Sequence, residues 1–162
     1  MKKTTTILIL FFTFFTLHSQ TSLVGKVIGI NDGDTIEVID HFNNTTILRL
    51  AEVDCPEKNQ PFGTKSKQFT SDAIHLKNVK YIVTSKDRYG RSIAKVYYNN
   101  KYLSAHIIKN GMGWHYKKYS NSNELSLFEN LARSRKRGLW ADPNPIYPSE
   151  WRKNKKNNKQ LN

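Results

Sequence analysis

Three short stretches hold most of the side chains that could do chemistry. Asp32-Gly33-Asp34-Thr35 sets two carboxylates around a glycine. Arg49-Leu50-Ala51-Glu52-Val53-Asp54-Cys55-Pro56-Glu57 carries one arginine and three more carboxylates. Asp87-Arg88-Tyr89-Gly90-Arg91 brings two arginines and a tyrosine. Each alone is a weak signal. Asp-Gly-Asp is a common solvated turn, Asp-x-Pro-Glu is often a loop entering a helix, and Tyr-Gly-Arg fits an ordinary hairpin. Together they are more specific. Carboxylates on two loops can share a hard cation such as calcium, which takes oxygens at ~2.3–2.6 Å. Two arginines can grip a phosphate with planar, charge-assisted bonds. A further carboxylate can activate a water. Phosphodiester hydrolysis needs those three parts.

Elements that would position these loops can be read on either side of them. Leu23 to Ile30, Thr35 to Ile39 and Thr45 to Leu50 are strand-like runs separated by Asx- and Gly-rich turns. Pro61 to Lys77 changes to helical spacing through Phe62, Phe69, Ala73 and Leu76, which predicts a helix over 64–77. Val79 to Thr84 and Arg91 to Tyr98 are two more strands. Tyr102 to Lys109 reads as a short helix stopped by Gly111. Asn121-Ser122-Asn123-Glu124 resembles a capping box opening a third helix, with Leu125, Phe128, Leu131 and Ala132 expected inside. The predicted fold class is α+β, mainly β: a five-stranded OB-type barrel with three α-helices.

The chain has 162 residues, one cysteine and a formal charge of +13, with 26 basic and 13 acidic residues. Mean hydropathy is −0.63. That excludes a disulfide scaffold, a multi-cysteine zinc site and a multi-span membrane protein, and it favours a polyanionic partner. Residues 1–20 read as an export signal. Lys2 and Lys3 precede an apolar run from Ile7 to Leu17, which as a helix reaches ~16 Å, short of a ~30 Å hydrocarbon core. A cut after Ser19 or Gln20 would send the product to the periplasm or outside. Residues 21–150 form the expected domain. Residues 151–162, rich in Lys, Asn and Gln, are expected to be a disordered basic tail.

The order Asp-Gly-Asp-Thr, Arg-x-x-x-x-Asp-x-Pro-Glu and Tyr-Gly-Arg resembles the staphylococcal nuclease (thermonuclease) family over about residues 23–142, as does Arg137-Gly138-Leu139-Trp140. The resemblance implies that Asp34, Asp54 and the backbone carbonyl of Cys55 hold one Ca²⁺. It makes Glu57 the general base, and Arg49 and Arg91 the groups that bind the scissile phosphate and stabilise its five-coordinate transition state. Arg88 and Tyr89 would contact a terminal phosphate. Tyr116 would line the base pocket, with Trp114 and Tyr119 as competitors. The implied activity is sugar-nonspecific hydrolysis of DNA and RNA, single strands favoured, by a monomer that leaves 3′-phosphate ends. Three departures stand out. Cys55 replaces a threonine, Arg88 replaces a lysine, and the loop after Glu57 is shorter.

Two other readings compete. One is a non-catalytic OB module that binds nucleic acid, from which the retained Asp34, Arg49, Asp54, Glu57 and Arg91 distinguish this chain. The other is a membrane-tethered protein with a basic tail on anionic lipid. The histidines pair with no convincing metal-ligand spacing. All are expected to be structural rather than catalytic, with contact to substrate left open only for His115.

Overall fold

The strand-like runs pair around a closed barrel. A computed structural model describes residues 21–160; the expected export signal, Leu161 and Asn162 lie outside those residues. Strands β1 (Leu23–Ile30), β2 (Thr35–Ile39) and β3 (Thr45–Leu50) form an antiparallel meander. Two-residue β4 (Val53–Asp54) and helix α1 (Gly63–Ile74) follow. Then come β5 (Asn78–Lys86), β6 (Ser92–Tyr98), two-residue β7 (Lys101–Tyr102) and α2 (Leu103–Lys109). β8 (Trp114–His115) pairs with β4, and α3 (Asn123–Ser134), a 3₁₀ turn (Gly138–Ala141) and α4 (Pro148–Gln160) complete the chain.

β5 pairs antiparallel with β1 and with β6, and β6 returns to run parallel to β3, which closes the barrel. The closing register sets Arg49 opposite Ile93 and Leu50 opposite Ala94. Alternation does the sorting. Val27, Ile36, Val38, Leu48, Leu50, Ala94 and Val96 point inward and are buried. Leu103, Ile107 and Ile108 of α2, Leu125 of α3 and Ile74 of α1 belong to the same core. Each such side chain contributes roughly 1.5–3 kcal/mol on burial. A smaller cluster of Trp114, Ala132, Leu139 and Trp140 packs on Phe62.

The five-stranded barrel expected from the sequence is present, and the helices differ in detail. The buried face of α1 is not the phenylalanine stripe but Gly63, Ser66, Thr70 and Ile74, and Leu76 lies past its end at φ 60°. The hydroxyls of Ser66 and Thr70 donate to the carbonyls of Met112 and Gly33, so polar residues pack without an unmet bond. In α3, Ser122 caps Leu125 N–H as expected, but Leu131 is exposed and Glu129 is fully buried. Arg133 bonds Glu129 at 2.7 Å and Lys117 lies 3.4 Å from it, which neutralises the carboxylate from both sides.

The expected disordered tail is instead a fourth helix, α4. Pro148 is its first residue and Glu150 sits in its first turn, both favourable at a helix start. Trp151 N–H donates to Tyr147 O at 2.9 Å, and Arg152 pairs with Glu57 of the body. Among the described residues no helix is long and apolar enough to cross a membrane.

Candidate active site

Two acidic loops meet at one arginine. The turn between β1 and β2 is fixed by its own bonds: Asn31 N–H donates to Thr35 O, and Asp34 N–H to Asp32 Oδ1. Leu50 N–H donates to Asp34 O at 2.8 Å, which ties the turn to the end of β3. The other loop leaves β3 and enters β4, whose pairing with β8 holds Asp54 opposite Trp114. Both carboxylates are buried, Asp34 at 5% and Asp54 at 4% exposure. Arg49, on β3, lies between them. Its Nη1 is 3.2 Å from Asp34 Oδ2 and its Nη2 donates to Asp54 Oδ1 at 2.9 Å. Nη1 also donates to the carbonyls of Leu50 and Val53.

Arg91 joins the same network from the far side. Asp87 holds it, taking Nε on Oδ2 at 2.8 Å and the backbone N–H on Oδ1. Arg91 Nη1 reaches Thr35 Oγ1 at 3.3 Å, and that hydroxyl donates to Asp34 Oδ1. Thr35 lies opposite Arg49 in the β2–β3 register. Polar contacts therefore run unbroken through Arg91, Thr35, Asp34, Arg49 and Asp54. Thr35 and Asp87 complete the network; sequence reading gave neither a role, taking Thr35 as the start of a strand and Asp87 as part of a turn.

Glu57 sits just beyond, partly exposed. Gln60 accepts its N–H on Oε1, and the Gln60 amide donates on to Ile146 O. A Cβ at Gly63 would fall 2.0 Å from Glu57 O, so only glycine lets α1 begin against this loop. Arg152 of α4 donates to Glu57 Oε1. Sequence reading missed Arg152, although Pro148 and the lone Trp151 were visible helix signals in a polar segment.

The aromatic candidates separate. Tyr116 is half-buried at the cleft; burial, then the nearby Asp54 carboxylate, push its hydroxyl pKa up. The Tyr119 ring stands edge-on to it at 4.8 Å and is largely exposed. Trp114 is fully buried against Trp140 and presents no exposed face to the cleft. His115 is also buried and bonds Ser126, in line with the structural role expected of the histidines. Arg88 and Tyr89 project into solvent, with both Arg88 and Arg91 guanidiniums over the Tyr89 ring at 4.9 and 5.8 Å. Beside them an open groove of about 400 Å³ includes Thr46, Lys86, Tyr89 and Arg91.

Electrostatics shows what the cluster lacks. Burial pushes Asp34 up to about 7, with Arg49 pulling the other way and Asp32 and Asp54 adding to the rise. Burial also raises Asp54 against the pull of Arg49. Burial disfavours the Arg49 charge, but Asp34 and Asp54 outweigh it and hold its pKa above the usual value. Two buried carboxylates thus share one guanidinium, and a hard divalent cation would supply the missing positive charge. Among the described residues no group of three or more His, Cys, Asp and Glu is arranged to hold a metal ion. The Cys55 N–H donates to Asp34 Oδ2 at 2.6 Å, which places its backbone at the same spot.

A family model described as staphylococcal nuclease homologue matches residues 47–142. The chain belongs to the staphylococcal nuclease family. This nuclease-family chain is 42% identical over 153 residues to an uncharacterized endonuclease of Haemophilus influenzae, covering 94% of this chain and 86% of that one. It is 36% identical over 145 residues to a micrococcal nuclease of Shigella flexneri, 82% of each chain being covered. It is 39% identical over 109 residues to the staphylococcal-like nuclease CAN1 of Arabidopsis thaliana, 67% of this chain but 34% of that protein. Membership makes the chain a nuclease-type hydrolase. The stretch matched by the family model contains Arg49, Asp54, Glu57 and Arg91 and ends before α4.

Proposed function

We propose that the protein is an exported, Ca²⁺-dependent nuclease. It hydrolyses phosphodiesters of DNA and RNA without sugar specificity and leaves 3′-phosphate ends. The observation that carries this reading is the unbroken polar chain from Arg91 through Thr35, Asp34 and Arg49 to Asp54, with Glu57 at its edge. It joins positive groups for a phosphate, paired carboxylates for a cation and a carboxylate for water in one place.

Asp34, Asp54 and the Cys55 carbonyl would hold Ca²⁺, with Asp54 Oδ2 free of the Arg49 contact. When bound there, the cation would supply Lewis-acid polarisation of a phosphate oxygen and positive charge against the negative charge that builds on it. The chain's own groups do the rest. Arg91 and Arg49 donate N–H bonds to the phosphate oxygens, strongest as charge accumulates in the transition state. Arg49 is pre-aimed by four polar contacts, so it loses little freedom when substrate arrives. Glu57 takes a proton from the attacking water; the water oxygen bonds to phosphorus as the bond to the 5′ oxygen breaks. Arg91 also assists that leaving oxygen by donating a hydrogen bond. Tyr116 offers a face for a base, which requires an unpaired strand.

The monomer binds mostly through phosphate contacts, so salt weakens binding. Residues 1–20 direct export. The test is digestion of single-stranded DNA and RNA with Ca²⁺ and then with chelator, with end-group analysis. Cleavage of both, dependent on Ca²⁺ and giving 3′-phosphates, is expected. An inert parent protein in Ca²⁺ would refute the reading.

A further inference from the structure

We propose that α4 is a phosphate-binding arm of the cleft. Its Arg152–Lys155–Lys156 face receives the backbone of single-stranded nucleic acid that continues from the scissile phosphate. The proposal rests on the nuclease reading of the cleft.

The helix is stitched to the active-site loops rather than trailing from the body. The Gln60 side chain, whose other end holds Glu57 N–H, donates to Ile146 O just before the helix. The Tyr147 ring lies 5.2 Å from buried Trp114, and Trp151 is half-buried. Arg152 then reaches Glu57. Burial opposes its charge, but the bond to Glu57 and the nearby Asp54 and Tyr116 outweigh that effect.

From that point most of the basic residues follow one face, with Lys153 on its flank. Lys155 and Lys156 stand three and four positions after Arg152, the spacing that stacks side chains on one side of a helix. All three are exposed, and Lys159 continues the spacing in sequence. The only acid in α4 is Glu150, in the first turn. Arg152 to Lys159 covers roughly 10 Å of helix axis, so the stripe continues beyond the Arg152–Glu57 contact. A segment that serves solubility alone requires neither this docking nor a segregated face. A lipid-binding helix would carry a row of Trp, Phe or Leu opposite its lysines. α4 has Trp151 alone, turned partly into the body.

The test compares the parent with K155Q/K156Q, which leaves Arg152 in place. Binding of a labelled single-stranded oligonucleotide is measured across salt concentrations in chelator, so that nothing is cut. Melting temperatures of the two proteins should agree. The plot of log affinity against log salt should flatten by about 1.4 in the double variant, about 0.7 for each phosphate contact to a single strand. Superimposable plots would overturn the proposal. So would loss of binding to phosphatidylglycerol vesicles with an unchanged oligonucleotide plot, which assigns the face to lipid. A flattened plot in a protein that cleaves nothing in Ca²⁺ would leave the arm standing and remove the nuclease reading.

Discussion

The Cys55 N–H donates to Asp34 Oδ2 at 2.6 Å, across 21 residues of chain. This single bond welds the turn after β1 to the loop after β4, and it orients the carboxylate toward Arg49 and Asp54. The weld requires close backbone approach at Gly33, where a Cβ would fall 2.1 Å from Ser66 Oγ and 2.8 Å from Cys55 Cβ. Gly33→Ala should therefore cost roughly 1–3 kcal/mol in stability through overpacking and lower activity by displacing Asp34. Denaturant unfolding and specific activity together check this. An unchanged midpoint would mean that the loops separate freely.

Two buried carboxylates around one guanidinium predict that Ca²⁺ stabilises the fold. Melting temperature should rise with added Ca²⁺ in the parent and return on chelation. Asp54→Asn removes half of the carboxylate charge, and its Ca²⁺-induced shift should shrink or vanish. An equal shift in parent and variant would place the cation elsewhere.

Cys55 is buried, and burial followed by the Asp34 charge pushes its thiol pKa well up. The thiolate is the reactive form, so the native protein should resist thiol reagents and label only on unfolding. Rapid labelling of the native state would show the loop to be open.

His115 supplies a pH dependence outside the acidic cluster. Burial lowers its pKa; Lys117 adds to the shift, while Glu129 and Glu52 oppose it. Because the folded value lies below the unfolded value near 6.5, the unfolded chain binds more protons in that window. Stability is thus complete above about 6.5 and falls as pH drops toward the folded value. Asp34, raised to about 7, works the other way over the same window, so the readout is the difference between proteins: as pH drops from 7.5 to 5, the parent's melting temperature should fall relative to that of His115→Gln. Parallel profiles would exclude His115 as a source.

The barrel was legible because alternation marks strands whose one face is buried: Ile36, Val38, Leu48 and Leu50 announce themselves. Asp34, Arg49, Asp54, Glu57 and Arg91 were legible because their motifs occur in order. Other features depend on tertiary partners. Nothing in the periodicity of α3 reveals that Glu129 is buried, since Arg133 and Lys117 are what neutralise it. Ser66 and Thr70 face inward only because the carbonyls of Met112 and Gly33 await them. The α4 segment read as disordered because its composition cannot build a core; Tyr147, Trp151 and Arg152 instead fasten it to the body. Sequence left contact between His115 and substrate open; its strand pairing with Val53 and its burial settle it as structural.

The central claim is that this cluster hydrolyses phosphodiesters. The most direct measurement is the rate of single-stranded DNA cleavage in Ca²⁺ by the parent, Glu57→Gln and Arg49→Ala, each shown to be folded by its melting curve. Loss of the general base should slow cleavage by about 10²–10⁴-fold, and loss of Arg49 should be at least as severe, because it also leaves Asp34 and Asp54 without their counter-charge. Two folded variants that cut at the parental rate would contradict the account.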